Sequence, residues 1–93
     1  MSASSEIYTR ANQALFDGKY KTGIKLFKQV LEMQPDLNAL NGLVECYMGM
    51  DDTETALSHA RALREWAQKC GHKFMVSWAE AHIYTLENKE YKI

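Results

Sequence analysis

The sequence predicts an all-α fold, a short solenoid of stacked antiparallel helix pairs with about five helices. Three observations carry this expectation. Apolar residues recur at three- and four-residue steps through most of the chain, the spacing of one helical face. Proline occurs once, at Pro35, and glycines fall near the ends of the periodic segments, so breaks are few. One pattern occurs twice, about 33 residues apart: Ile7, Ala11, Ala14, Gly18, Tyr20, Gly23, Phe27, Val30 and Pro35, then Leu40, Leu43, Val44, Tyr47, Ala56, Ala60 and Leu63. In both copies nine positions separate a residue late in one helix (Ala14, Tyr47) from a small residue of the next (Gly23, Ala56). A repeat of this length marks helix pairs that bury a core only by stacking on neighbouring pairs.

The first helix is expected from about Ser4 to Phe16, with Ser4 or Ser5 as N-cap and Asp17-Gly18 as the stop. The second runs from about Tyr20 to Met33, with Tyr20, Ile24, Phe27, Val30 and Leu31 on one side, and Pro35 prevents its continuation. The third covers about Leu37 to Met48, with Leu37, Leu40, Leu43, Val44 and Tyr47 on one stripe. Gly49 and Asp51-Asp52 mark the turn after it. The fourth runs from Thr53 to Lys69 along Ala56, Leu57, Ala60, Leu63, Ala67 and Cys70, and Gly71 supplies its stop. The fifth spans about Lys73 to Asn88. Such short connections make consecutive helices antiparallel neighbours.

Bulk properties narrow the function. Ninety-three residues allow one small domain, here taken as 1–93. A net charge of −1 argues against nucleic acid as a partner. No apolar run approaches the ~18 residues of a membrane span, and Met1 to Glu6 lacks the basic start and apolar stretch of a secretory signal. Two cysteines, Cys46 and Cys70, are too few for a disulfide scaffold and read as free thiols. A cytoplasmic location is the expectation that follows.

The residues resemble the tetratricopeptide repeat. The second copy has its opening spacing, Leu40-x-x-Leu43-Val44-x-x-Tyr47, followed by Ala56-x-x-x-Ala60. The first has the later part, Gly23-x-x-x-Phe27, with Pro35 eight residues on. Val44 stands where that family prefers Gly or Ala, Ala60 where it prefers an aromatic, and Arg10 at a usually apolar position. The resemblance implies a right-handed solenoid, with repeats at 4–36 and 37–71 and a partial repeat or capping helix at 73–91. Small residues at Ala11, Gly23 and Ala56 would let paired helices approach, and Tyr20, Phe27, Leu40 and Tyr47 would fill the spaces between pairs. Asn88-Lys89-Glu90-Tyr91 looks like the turn that opens a further helix, as Gly18-Lys19-Tyr20 does earlier.

The resemblance also implies a non-enzymatic interaction module whose first helices line a groove for a peptide or protein segment. The partner-binding candidates are Tyr8, Asn12, Asn41, Glu45, Trp78 and His82, with Leu15 and Met48 beside them. Amides can bond a peptide backbone and aromatics can cover apolar side chains. The plainer reading is that Leu15, Met48 and Trp78 are core and the polar positions a solvated face. A chaperone-tail clamp is not expected, because Tyr8 and Gly42 replace its Lys and an Asn. Lys19, Lys21, Lys25 and Lys28 form a basic stripe that reads first as the solvated side of the second helix.

No cofactor or metal is expected: Cys70-Gly71-His72 is the one close Cys/His pair, no second pair has ligand spacing, and His59 and His82 are isolated. No phosphate loop or activated nucleophile is apparent. The alternative role is structural. Phe74, Trp78, Ile83, Tyr84 and Leu86 give the fifth helix more apolar surface than one side needs, so it could dock on another chain or a second copy.

Overall fold

In a computed structural model that describes residues 3–89, the chain forms five helices: α1 (Ala3–Phe16), α2 (Tyr20–Met33), α3 (Leu37–Gly49), α4 (Thr53–Cys70) and α5 (Lys73–Lys89). Their stops follow the expected chemistry. Gly18 and Gly71 adopt positive φ of 76° and 70°, where a side chain would be strained, and the chain then turns back through Lys19 N to Ala14 O and His72 N to Ala67 O. Gln34 is extended at φ −164°, ψ 153°, the conformation Pro35 imposes on the residue before it. Asp36 caps α3 by accepting from Asn38 N and Ala39 N, and Asp52 caps α4 by accepting from Thr55 N. Asp51 takes the left-handed conformation at φ 62°, which aspartate tolerates better than most residues.

Three sequence expectations are corrected. Ser4 and Ser5 are not N-caps, because α1 already includes Ala3; Ser4 is buried, and with Ser5 it borders a recess shared with Gln34, Asp36 and Asn38 of the α2–α3 connection and the start of α3. Cys70 is not core. It is the last residue of α4, the chain leaves at Gly71, and nothing covers its thiol. Asn88-Lys89 does not open a turn: both residues are helical, and the Asn88 amide donates to Tyr84 O at 2.7 Å. Glu90 and Tyr91, the rest of that expected turn and the end of the 73–91 segment, lie outside the described residues.

The packing is that of a solenoid with a tetratricopeptide-like arrangement. Each helix packs on the next; α3 also touches α1 and α5, whereas α1 and α5 do not touch, nor do α2 and α4. A closed bundle would join its first and last helices. The dimensions agree, since the shortest axis is 17 Å against a longest of 45 Å, about the thickness of two helix layers. The odd helices touch along one layer, whereas α2 and α4 of the other layer do not touch; the odd layer is the one the repeat resemblance makes the inner side.

Two cores meet at α3. On one side Ala11, Phe27, Val30, Ala39, Leu43 and Cys46 pack together; on the other Val44 joins Ala56, Ala60, Leu63, Ala67, Met75, Ala79, Ile83 and Leu86. Half-buried Leu40 and Tyr47 touch both. Close approach between pairs depends on Gly42. A Cβ there would come within 2.3 Å of the Phe27 ring, so a fully buried phenylalanine of α2 is seated on bare α3 backbone. Gly23 makes the matching allowance in α2, where a Cβ would come within 2.8 Å of Cys46 Sγ. The departures at Val44 and Ala60 fall in one cluster and both side chains are fully buried. Arg10 is exposed, so its charge costs the core nothing. Among the described residues no helix is long and apolar enough to cross a membrane.

Candidate functional site

The inner layer is built from α1, α3 and α5, and the six candidate residues all lie on these helices. They do not share one environment. Asn41 is buried at 6% exposure, and its Oδ1 accepts from His82 Nε2 at 3.0 Å. This bond joins α3 to α5. It settles a buried amide that would otherwise be costly and requires the proton on Nε2. Glu45, one turn along α3 from Asn41, places Oε2 4.0 Å from the same nitrogen. Burial lowers the pKa of His82 and raises that of Glu45. Both shifts favour the uncharged forms, so the pair behaves as neighbours in a partly dry crevice rather than as a firm ion pair.

Tyr8 belongs to the other end of the layer. Its ring meets Phe27 edge-on at 5.8 Å, and its hydroxyl is pushed to higher pKa by burial first, then by Asp36 and Glu45. Two carboxylates therefore reach the field of one phenol. Beside it is a recess of about 240 Å³ lined by Ser4, Ser5, Tyr8, Gln34, Asp36 and Asn38. Asn12 is exposed on α1. Leu15 and Met48 are half-buried and pack against the two cores, so for these two the plainer reading is the better one. Trp78 is 51% exposed and is not a core residue. Phe74, one turn earlier, is 77% exposed.

Several interactions have no sequence signature. Asn41 and His82 are 41 residues apart, and no local spacing announces their bond. His59 is not isolated: it stacks on Tyr47 at 5.0 Å, and its Nδ1 lies 2.9 Å from Thr55 O. Arg61 reaches Glu87 at 3.2 Å, bridging α4 and α5 on the surface. Gly42 was readable as a small residue but not as the seat of Phe27.

Both cysteines are free. Cys46 is buried beneath Gly23, and burial, with the charge of Glu45 adding, pushes its thiol up to about 11; that disfavours the reactive thiolate. Among the described residues no group of three or more His, Cys, Asp or Glu side chains could hold a metal ion.

Comparison with known proteins gives one informative likeness. The chain is 29% identical over 85 residues to the human protein named tetratricopeptide repeat protein 12. The match covers 90% of this chain but 12% of that relative, so the chain spans only a small part of its length. No protein-family profile matches, and no solved structure matches. The likeness and the five-helix stack together support a tetratricopeptide-repeat-like chain.

Proposed function

We propose that this tetratricopeptide-repeat-like chain is a non-enzymatic interaction module that holds a peptide or extended protein segment against the inner face of α1, α3 and α5. The observation that carries the reading is the exposed, unsupported aromatic surface of α5 beside a fixed polar crevice. Trp78 and Phe74 are largely open, while one turn on His82 is tied to Asn41. A preformed surface of this kind orders mainly the ligand, which limits the entropy lost on binding. Its mixture of amide, carboxylate, imidazole and indole groups can bond a backbone and cover a side chain at once. The relative is named for the same repeat, and repeats of this architecture present extended concave surfaces.

The test is affinity capture from cell extract with three proteins: the wild type, Asn12→Ala/Trp78→Ala on the inner layer, and Lys21→Ala/Lys25→Ala/Lys28→Ala on the outer. Asn41 is left intact because its bond to His82 is structural. Partners lost from the inner variant and kept by the outer one support the reading. Partners kept by the inner variant and lost from the outer one refute it.

A second reading, assembly through α5, is favoured by the exposure of Phe74 at 77% and Tyr84 at 70%. Sedimentation of the wild type and Phe74→Ser/Tyr84→Ser over a wide concentration range decides it. Self-association lost in the variant supports assembly; a wild-type monomer throughout dismisses self-assembly.

A further inference from the structure

Both layers carry charges of both signs, and the α5 residues Lys73 and Glu80 are exposed. Lys21, Lys25 and Lys28 are all exposed on α2. On α4, Arg61 pairs with Glu87 and Lys69 with Glu65. The inner candidates include one charged side chain, Glu45. Arg10, on α1, leaves that helix about 200° away from Asn12, two residues on.

Among the described residues no lysine or arginine nitrogen lies within 4.0 Å of the Glu45 carboxylate; its one basic neighbour is His82 Nε2 at 4.0 Å. That nitrogen is already donated to Asn41. Trp78 stands one helical turn before His82, a rise of about 6 Å, and Phe74 one turn before Trp78. The Glu45 carboxylate and the exposed indole thus flank the same residue, the one lying 4.0 Å from His82 Nε2 across α3 and α5 and the other standing one turn from His82 along α5.

We infer that the inner face recognises a basic peptide, seating one lysine or arginine side chain between the Glu45 carboxylate and the rings of Trp78 and Phe74. This rests on the inner-face reading above and adds the chemistry of the ligand. Three features favour a cation over other occupants. A half-buried carboxylate without a cationic partner gains more from an arriving ammonium or guanidinium than an exposed one does. Aromatic faces attract cations, and indole most of all. The absence of a cation beside Glu45 leaves an incoming basic chain unopposed, while an acidic segment would meet Glu45 and the nearby Asp36. The carboxylate that raises the pKa of Tyr8 and the one beside His82 are the same Glu45, so the field of this group spreads across the crevice between α1 and α5.

The experiment is selection of a displayed random 12-residue peptide library on the immobilised chain. Parallel selections use Glu45→Gln, Glu45→Lys and Asn12→Ala/Trp78→Ala, each first shown by circular dichroism to be as helical as the wild type. The inference expects lysine or arginine enriched at one position, no such enrichment on Glu45→Gln, and aspartate or glutamate in its place on Glu45→Lys. For a selected peptide, replacing the basic residue by norleucine should weaken binding on the order of ten-fold.

Peptides selected without a basic position, or with one that survives Glu45→Gln, overturn the inference; the inner-face reading stands if Asn12→Ala/Trp78→Ala abolishes the selection. No enriched peptide, or enrichment unchanged by Asn12→Ala/Trp78→Ala, overturns both.

Discussion

Gly42 shows how one missing side chain sets the distance between two helix pairs. Phe27 is fully buried and lies where the Cβ of any other residue at position 42 would stand. Gly42→Ala should therefore destabilise the chain by about 1–3 kcal/mol through overpacking, despite the better helix propensity of alanine. Chemical denaturation measures it. An unchanged or raised midpoint would mean that Phe27 is not held against α3.

His82 gives a second prediction at this scale. Its folded pKa lies below the ordinary value of about 6.5, so the unfolded chain binds its proton more readily. The contribution of His82 is present above that ordinary value and is lost as pH falls through the lower, folded one. Glu45 has the opposite sign. Its folded pKa is raised, so its contribution is present at low pH and is lost as pH rises through that value. Melting temperature should therefore drop as pH falls through the histidine range, and His82→Gln should flatten the drop. An equal drop in the variant would assign it to other groups. Asn41, read from the sequence as a groove residue or a solvated one, proved to be a buried bonding partner. Its partner is remote in the chain, and helical periodicity carries no information about such pairs.

At the scale of elements, start and stop chemistry was readable because it is local. Gly18, Gly71 and the Gln34-Pro35 step end three helices by backbone geometry alone. The failures came at helix ends, where periodicity does not report burial: Ser4 is a buried residue inside the first turn of α1, and Cys70 is an exposed last residue of α4. The two capping aspartates allow a graded test. Asp36 accepts from two amides at 2.9 and 3.1 Å, Asp52 from one at 3.3 Å. Asp36→Ala should cost about 1–2 kcal/mol and Asp52→Ala about 0.5–1 kcal/mol. Equal losses in urea unfolding would mean that the second amide bond at Asp36 contributes nothing.

At the scale of the whole molecule, the twofold pattern was the strongest signal in the sequence, because stacking repeats place the same packing demands at the same spacing. It predicted stacked helix pairs; that α3 is shared by two cores came from the structure. Periodicity separates buried from exposed positions. It does not separate one exposed side from another, so it could not distinguish Trp78, open on the inner layer, from a core tryptophan. Contact topology separates the layers: α1, α3 and α5 touch in sequence, whereas α2 and α4 do not.

The central claim, that this inner layer is the ligand face, is tested most directly by a two-dimensional amide NMR titration with a peptide selected on the wild-type chain. The account predicts shifts at the Trp78 indole N–H and at amides around Asn12, Asn41 and Glu45, with the Lys21–Lys28 segment unmoved. Shifts confined to that basic segment, with the Trp78 indole unmoved, would contradict it.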